Sequence, residues 1–170
     1  CGSFGKPMNL SHLRNLLEEV QSGYSYGISG YDKWGCDIST KRKVTVHQYD
    51  CFDLTQPSCP NGTTKFHAEC VAEVRRTDEG RIFDTIACQM AGNGDSAKRI
   101  VMKMDVEGAE WRSLLSAPDE VLEQIDQLAV EFHWIEDAIS LALGRRLKEF
   151  FEVAHFHINN ASCTAGVEPF

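Results

Sequence analysis

Hydrophobic positions along the chain change period several times, and each change marks an element. Leu10, Leu13, Leu16, Leu17 and Val20 recur at helical spacing behind Ser11, a residue able to cap free backbone N–H groups, which predicts an amphipathic helix over 11–21 ended by Gly23. A short aromatic strand over 24–26 then runs into a loop punctuated by Gly27 and Gly30. Residues 44–49 alternate with period two and stop at Asp50, and 65–71 read as a weaker strand beyond a surface loop marked by Pro57, Pro60, Asn61 and Gly62. Between these, 31–43 is short and broken by Gly35, so only a stunted helix is expected there. Further on, 82–90 looks helical and is closed by Gly92 and Gly94, while 99–105 is a near-continuous apolar strand ending on Asp105. Two helical pieces follow at 109–115 and 118–125, the second with Pro118 in a first turn where its missing N–H costs little. A fifth strand spans 127–133, a helical stripe of Ala138, Ile139, Ala142, Leu143, Leu147 and Phe150 covers 135–151, and a sixth strand is expected over 153–158.

Strands alternating with helices at this spacing imply β-α units with parallel pairing. The expected fold is therefore α/β: a doubly wound, mostly parallel twisted sheet with helices on both faces. One domain spans 1–170, with a core over 24–160 and a tail over 161–170, and no seventh, antiparallel strand is expected before the last residue. Ligands of such sheets lie outside the carboxyl ends of the strands. That rim should gather the 27–30 loop, Asp50, Asp105, Glu107, His133 and the 157–160 segment.

Composition narrows the partners. A formal net charge of −8 repels a phosphate backbone, which argues against nucleic acid. No apolar run is long enough to span a bilayer, so membrane contact is not expected of this domain, and oligomeric state is not legible. Seven cysteines show no C-x-x-C spacing, which argues against a metal-thiolate centre, and Cys70 and Cys88 in apolar segments read as small core residues. Three N-x-S/T sequons, at Asn9, Asn61 and Asn160, set a secretory-pathway lumen against the default cytoplasmic location.

Three carboxylates crowd into the stretch from Asp105 to Glu110. Acidic residues opening a helix complement its dipole, and that suffices for Glu110. It explains less well why Asp105 ends a buried strand, where an ionised carboxylate is costly unless it serves a ligand, a base or a metal. Gly108 keeps the turn narrow, and Trp111 reads as packing. His133 at the end of strand five, and His157 with His155 on one face of strand six, are imidazoles suited to removing a hydroxyl proton near neutral pH. His47 and His67 lie within strands and read as core or surface.

The run V-M-K-M-D-V-E-G-A-E-W at 101–111, followed by a helix and then Q-I-D-Q-L-A-V-E-F-H at 124–133, resembles the FkbM-like, methyltransferase-like branch of class I S-adenosylmethionine-dependent methyltransferases. The likeness covers 24–160, and D-V-E-G-A-E is its most specific element. It implies a Rossmann-like fold with S-adenosyl-L-methionine as cofactor. It also implies a cofactor loop including Tyr26, Gly27, Ile28, Ser29 and Gly30, a ribose-binding acid at Asp50 beside Cys51, and Asp105 with Glu107 next to the transferred methyl. The loop carrying Asn159 and Asn160 would face the acceptor. Ser25 departs from the pattern, since the family places an acid two positions before its first loop glycine.

The expected function is methyl transfer to an oxygen of a small polar or sugar-like acceptor, with Asp105, Glu107, His133 and His157 as catalytic groups. A non-catalytic module that keeps the nucleoside pocket is the alternative, and a nicotinamide dehydrogenase ranks last because a full G-x-G-x-x-G is lacking. No metal site is assigned. A divalent metal on Asp105, Glu107, His133 and His157 is a less favoured variant.

Overall fold

The computed structural model describes residues 19–135 and 137–157. Five parallel strands form the main sheet: β1 (Ser22–Tyr26), β2 (Thr45–Tyr49), β3 (Thr63–His67), β7 (Ile100–Met104) and β8 (Ile125–Val130), in the order β3-β2-β1-β7-β8. A second, three-stranded sheet joins β4 (Glu69–Val71), β6 (Arg81–Asp84) and β5 (Arg76–Asp78), in the order β4-β6-β5. The helices are α1 (Lys33–Arg42), α2 (Ile86–Gly92), α3 (Ala109–Ser116), α4 (Asp119–Glu123) and α5 (Asp137–Phe150).

Alternation along β1 sends successive side chains to opposite faces. Gly23 faces α1, where a Cβ would lie 3.6 Å from Ile38 Cγ2 and 2.9 Å from Val46 Cγ2. Tyr24 and Tyr26 point the other way and join Met102 and Met104 in a core closed by Ile86 and Met90 of α2, Trp111 and Leu114 of α3 and Leu143 of α5. Helices thus cover both faces of an open parallel sheet, the doubly wound arrangement expected from the alternating pattern.

Several elements differ from expectation. The segment 31–43 is no stub: α1 runs for 10 residues. Asp32 caps it by accepting from Gly35 N at 2.8 Å, and a Cβ on residue 35 would lie 2.1 Å from Asp32 Oδ2, so glycine here admits the cap instead of breaking the helix. Residues 65–71 divide at Ala68 into β3 and β4, which belong to different sheets. The helix expected over 82–90 begins only at Ile86. Thr85 caps that start through Cys88 N, and the residues before it pair as β6 with β5 across a tight turn with Glu79 at φ 48° and Gly80 at φ 78°. No strand forms over 153–157: residues 152–157 are all exposed and give a strand no face to bury, and Ile158 lies outside the described residues. The helix expected over 11–21 lies mostly outside them too, and its last residues, 19–21, are a turn and irregular chain. Tail residues 161–170 are likewise outside.

Cysteines also depart from expectation. Cys36 of α1 is bonded to Cys59, and Cys51 to Cys70 of β4, with Cα–Cα separations of 5.4 and 5.2 Å. Cys70 is thus half of a crosslink, and Cys88 is an exposed free thiol. Among the described residues no helix is long and apolar enough to cross a membrane.

Candidate functional site

The strand order reverses direction at β1, which pairs with β2 on one side and β7 on the other. Loops leaving the carboxyl ends of β1 and β7 therefore meet at the switch point where open α/β sheets bind ligands. They meet closely. Gly27 adopts φ 71°, and a Cβ there would fall 1.6 Å from Asp105 O, so only glycine lets the two backbones approach. Lys103 Nζ fastens the pair by donating to Gly27 O at 3.1 Å and to Asp105 Oδ2 at 3.3 Å.

Asp50 sits at the end of β2 beside this loop, and its carboxylate is filled. Oδ2 accepts from Ile28 N (3.1 Å) and Ser29 N (2.8 Å), and Oδ1 from Phe52 N (2.9 Å) and Asp53 N (3.0 Å). A carboxylate offers about four acceptor sites, so these four donors account for all of them. Asp50 thereby shapes the loops after β1 and β2 together. Neighbouring Cys51 is held by its disulfide to Cys70. Tyr26 is fully buried and stacks on Tyr49 at 4.9 Å between centroids, so its side chain belongs to the core, and burial pushes its hydroxyl well above the ordinary tyrosine range. Ile28 is buried, whereas Ser29 is exposed and Gly30 partly so.

The acidic loop after β7 faces His133, three residues beyond β8. His133 Nε2 lies 3.7 Å from Asp105 Oδ1, 3.8 Å from Glu107 Oε1 and 3.8 Å from Glu131 Oε1. Glu110, in the first turn of α3 and fully buried, holds the opposite side of the ring. Its Oε1 accepts from His133 N at 2.6 Å and lies 3.2 Å from His133 Nδ1, and its Oε2 accepts from Gly108 N at 2.8 Å. Since a carboxylate only accepts, this contact places the proton of the neutral ring on Nδ1 and leaves Nε2 its lone pair, aimed at the carboxylates. Trp111 packs on Phe132 at 4.4 Å and donates through Nε1 to His133 O, which fixes the backbone behind the ring.

The structure thus brings Asp105, Glu107 and His133 together, and sets the 27–30 loop and Asp50 beside them. It does not add His157, which is exposed in irregular chain after α5 and stands outside the cluster. Asn159 and Asn160 lie outside the described residues. Sequence reasoning missed Glu131, although its period-two spacing from His133 was a signal, and it missed the grip of Glu110 on the ring. It also missed Trp134, at φ 50° and 74% exposed, whose Cδ1 would stand 3.1 Å from a Cβ on Gly108. The Trp134 ring borders that narrow turn.

What the fold and rim define is a class: an open parallel α/β protein with an acidic, histidine-bearing cluster at its switch point. Protein-family models, characterised proteins and solved structures were all compared with the chain, and none matches.

Proposed function

We propose that the chain is an S-adenosylmethionine-dependent methyltransferase that methylates an oxygen of a small polar or sugar-like acceptor. The observation that carries this reading is the junction of the Gly27 loop with the D-V-E-G-A-E loop at the topological switch point, with His133 Nε2 facing the same acidic loop. The cofactor would supply an electrophilic methyl group. For their part, the protein groups would hold the acceptor. Asp105 and Glu107 would orient its hydroxyl, and Nε2 of His133 would take its proton while Glu110 stabilises the resulting imidazolium. Much of the acceleration would then come from orientation.

A second reading, a binding module that keeps the nucleoside pocket without transfer chemistry, is favoured by one observation: His157, expected among the catalytic groups, stands outside the cluster. In both readings the ribose hydroxyls would rest on groups other than Asp50, whose acceptor sites are filled. Calorimetry and thermal shift with S-adenosylmethionine and S-adenosylhomocysteine test both readings. Binding is expected for each ligand, and neither heat nor stabilisation from either would overturn both. Binding without turnover across a panel of hydroxylated acceptors would leave the module. We further propose an oxidising compartment for this domain, on the strength of its two disulfides and of the exposed sequon at Asn61.

A further inference from the structure

We propose that Asp105, Glu131 and His133 form a binding site for one divalent transition-metal ion, manganese or zinc by ligand type. One ligand atom from each of these residues lies within 4.8 Å of the other two. The geometry around Nε2 is informative because it is wrong for hydrogen bonding. Its distances of 3.7 Å to Asp105 Oδ1 and 3.8 Å to Glu131 Oε1 are too long for a proton to be shared. They match atoms that share an ion instead. Ligands about 2.0–2.2 Å from a tetrahedral centre stand roughly 3.3–3.6 Å apart, so the two legs from the histidine need only a few tenths of an ångström of contraction, and the two carboxylates already lie within 4.8 Å of each other.

Two independent features prepare the histidine for this role. Fully buried Glu110 engages Nδ1, the outer carboxylate that metal-bound imidazoles use to fix tautomer and orientation, and it also binds the histidine's backbone N–H. Charge around Nε2 is also unbalanced: Asp105, Glu107 and Glu131 approach it, and Lys103 is the sole Lys or Arg paired with any of the three among the described residues. Lys103 takes Asp105 Oδ2 and leaves Oδ1 toward the histidine. Two carboxylates with one imidazole suit manganese or zinc better than calcium, which prefers an all-oxygen shell. Three protein ligands leave further positions for water or an acceptor hydroxyl, whose proton the ion would make easier to remove. In that form Nε2 is a ligand and the ion replaces it as the activating group.

The site stands without the methyl-transfer reading, and its test contains no cofactor. Chelator-treated protein is titrated with manganese alone and with zinc alone by calorimetry, and the manganese complex is examined by electron paramagnetic resonance. We expect one equivalent bound and coupling of manganese to an imidazole nitrogen. Affinity should fall at least tenfold in Asp105→Asn and in Glu131→Gln, the nitrogen coupling should vanish in His133→Gln, and Glu123→Gln, at an exposed position of α4, should change nothing. Failure of both ions to bind, undiminished affinity in both carboxylate variants, or a wild-type manganese complex without nitrogen coupling would each overturn the proposal. The wild-type spectrum decides the matter even where a variant fails to fold. Cofactor titration of the chelator-treated chain is a separate measurement, so either proposal can fail while the other stands.

Discussion

Glu110 shows how much one buried carboxylate can organise. It opens α3, where the helix dipole favours negative charge, and it is fully buried with backbone donors from Gly108 and His133 on its two oxygens. Both donors are left without their partner if the side chain is removed, and an unsatisfied buried amide costs about 1–3 kcal/mol. Glu110→Ala is therefore expected to destabilise the fold by about 3 kcal/mol. Glu110→Gln should cost less, because its amide oxygen still accepts. Urea unfolding checks this order, and manganese affinity separates support from positioning. Glu110→Ala releases the His133 ring and should bind the ion ten- to hundredfold more weakly, whereas Glu110→Gln, which keeps one accepting oxygen, should fall between it and the wild type. Lost stability with unchanged affinity would reduce Glu110 to a structural residue.

At the scale of elements, periodicity located β1, β2, β7, β8, α3 and α5, because the side chains that set the period also form the core. It failed where burial is not what holds the element. All three residues of β5 are exposed, so its hairpin with β6 rests on backbone pairing, the Glu79–Gly80 turn and the Arg76 guanidinium lying over the Phe83 ring. In α1 the residue that looked like a breaker is the one that admits the cap. Likewise, strand-end positions in the sequence marked Asp105, Glu107 and His133, whereas the four backbone donors on Asp50 come from two separate loops that no local pattern connects. Cysteine pairing was equally illegible, although it clamps these elements. Cys36–Cys59 ties α1 to the loop before β3, and Cys51–Cys70 ties the Asp50 loop to β4, with sequence separations of 23 and 19. Closing loops of that length restricts the unfolded chain and contributes about 3 kcal/mol each. Dithiothreitol should therefore lower the urea midpoint substantially, and the pair Cys36→Ala with Cys59→Ala should reproduce about half of the loss. An unchanged midpoint under full reduction would show that neither crosslink stabilises the fold.

The whole molecule carries an acid sensitivity that its surface charge alone would not produce. On the α2 side of the sheet, Tyr24 stacks on His47 at 5.1 Å, and His47 Nδ1 lies 2.9 Å from His67 Nε2. Asn93 Nδ2 donates to the hydroxyls of both Tyr24 and Tyr49. Burial pushes His47 down to about 4 from an ordinary value of 6.5, only partly opposed by nearby Asp95, and burial lowers His67 as well. Unfolding frees His47 to take a proton anywhere between those two values, whereas the fold keeps it neutral. Its stabilisation is therefore complete above pH 6.5 and is lost as pH falls toward 4, amounting to about 3 kcal/mol over the window. The net charge of −8 acts in the opposite sense, since acid relieves self-repulsion. Salt separates the two effects, because it screens exposed charges and leaves buried desolvation in place. Urea unfolding at pH 7.5, 6 and 5 in high salt should show a steady loss of stability, and His47→Gln should flatten that dependence. A wild-type profile already flat across this range in high salt would mean that the buried stack accepts a proton without penalty.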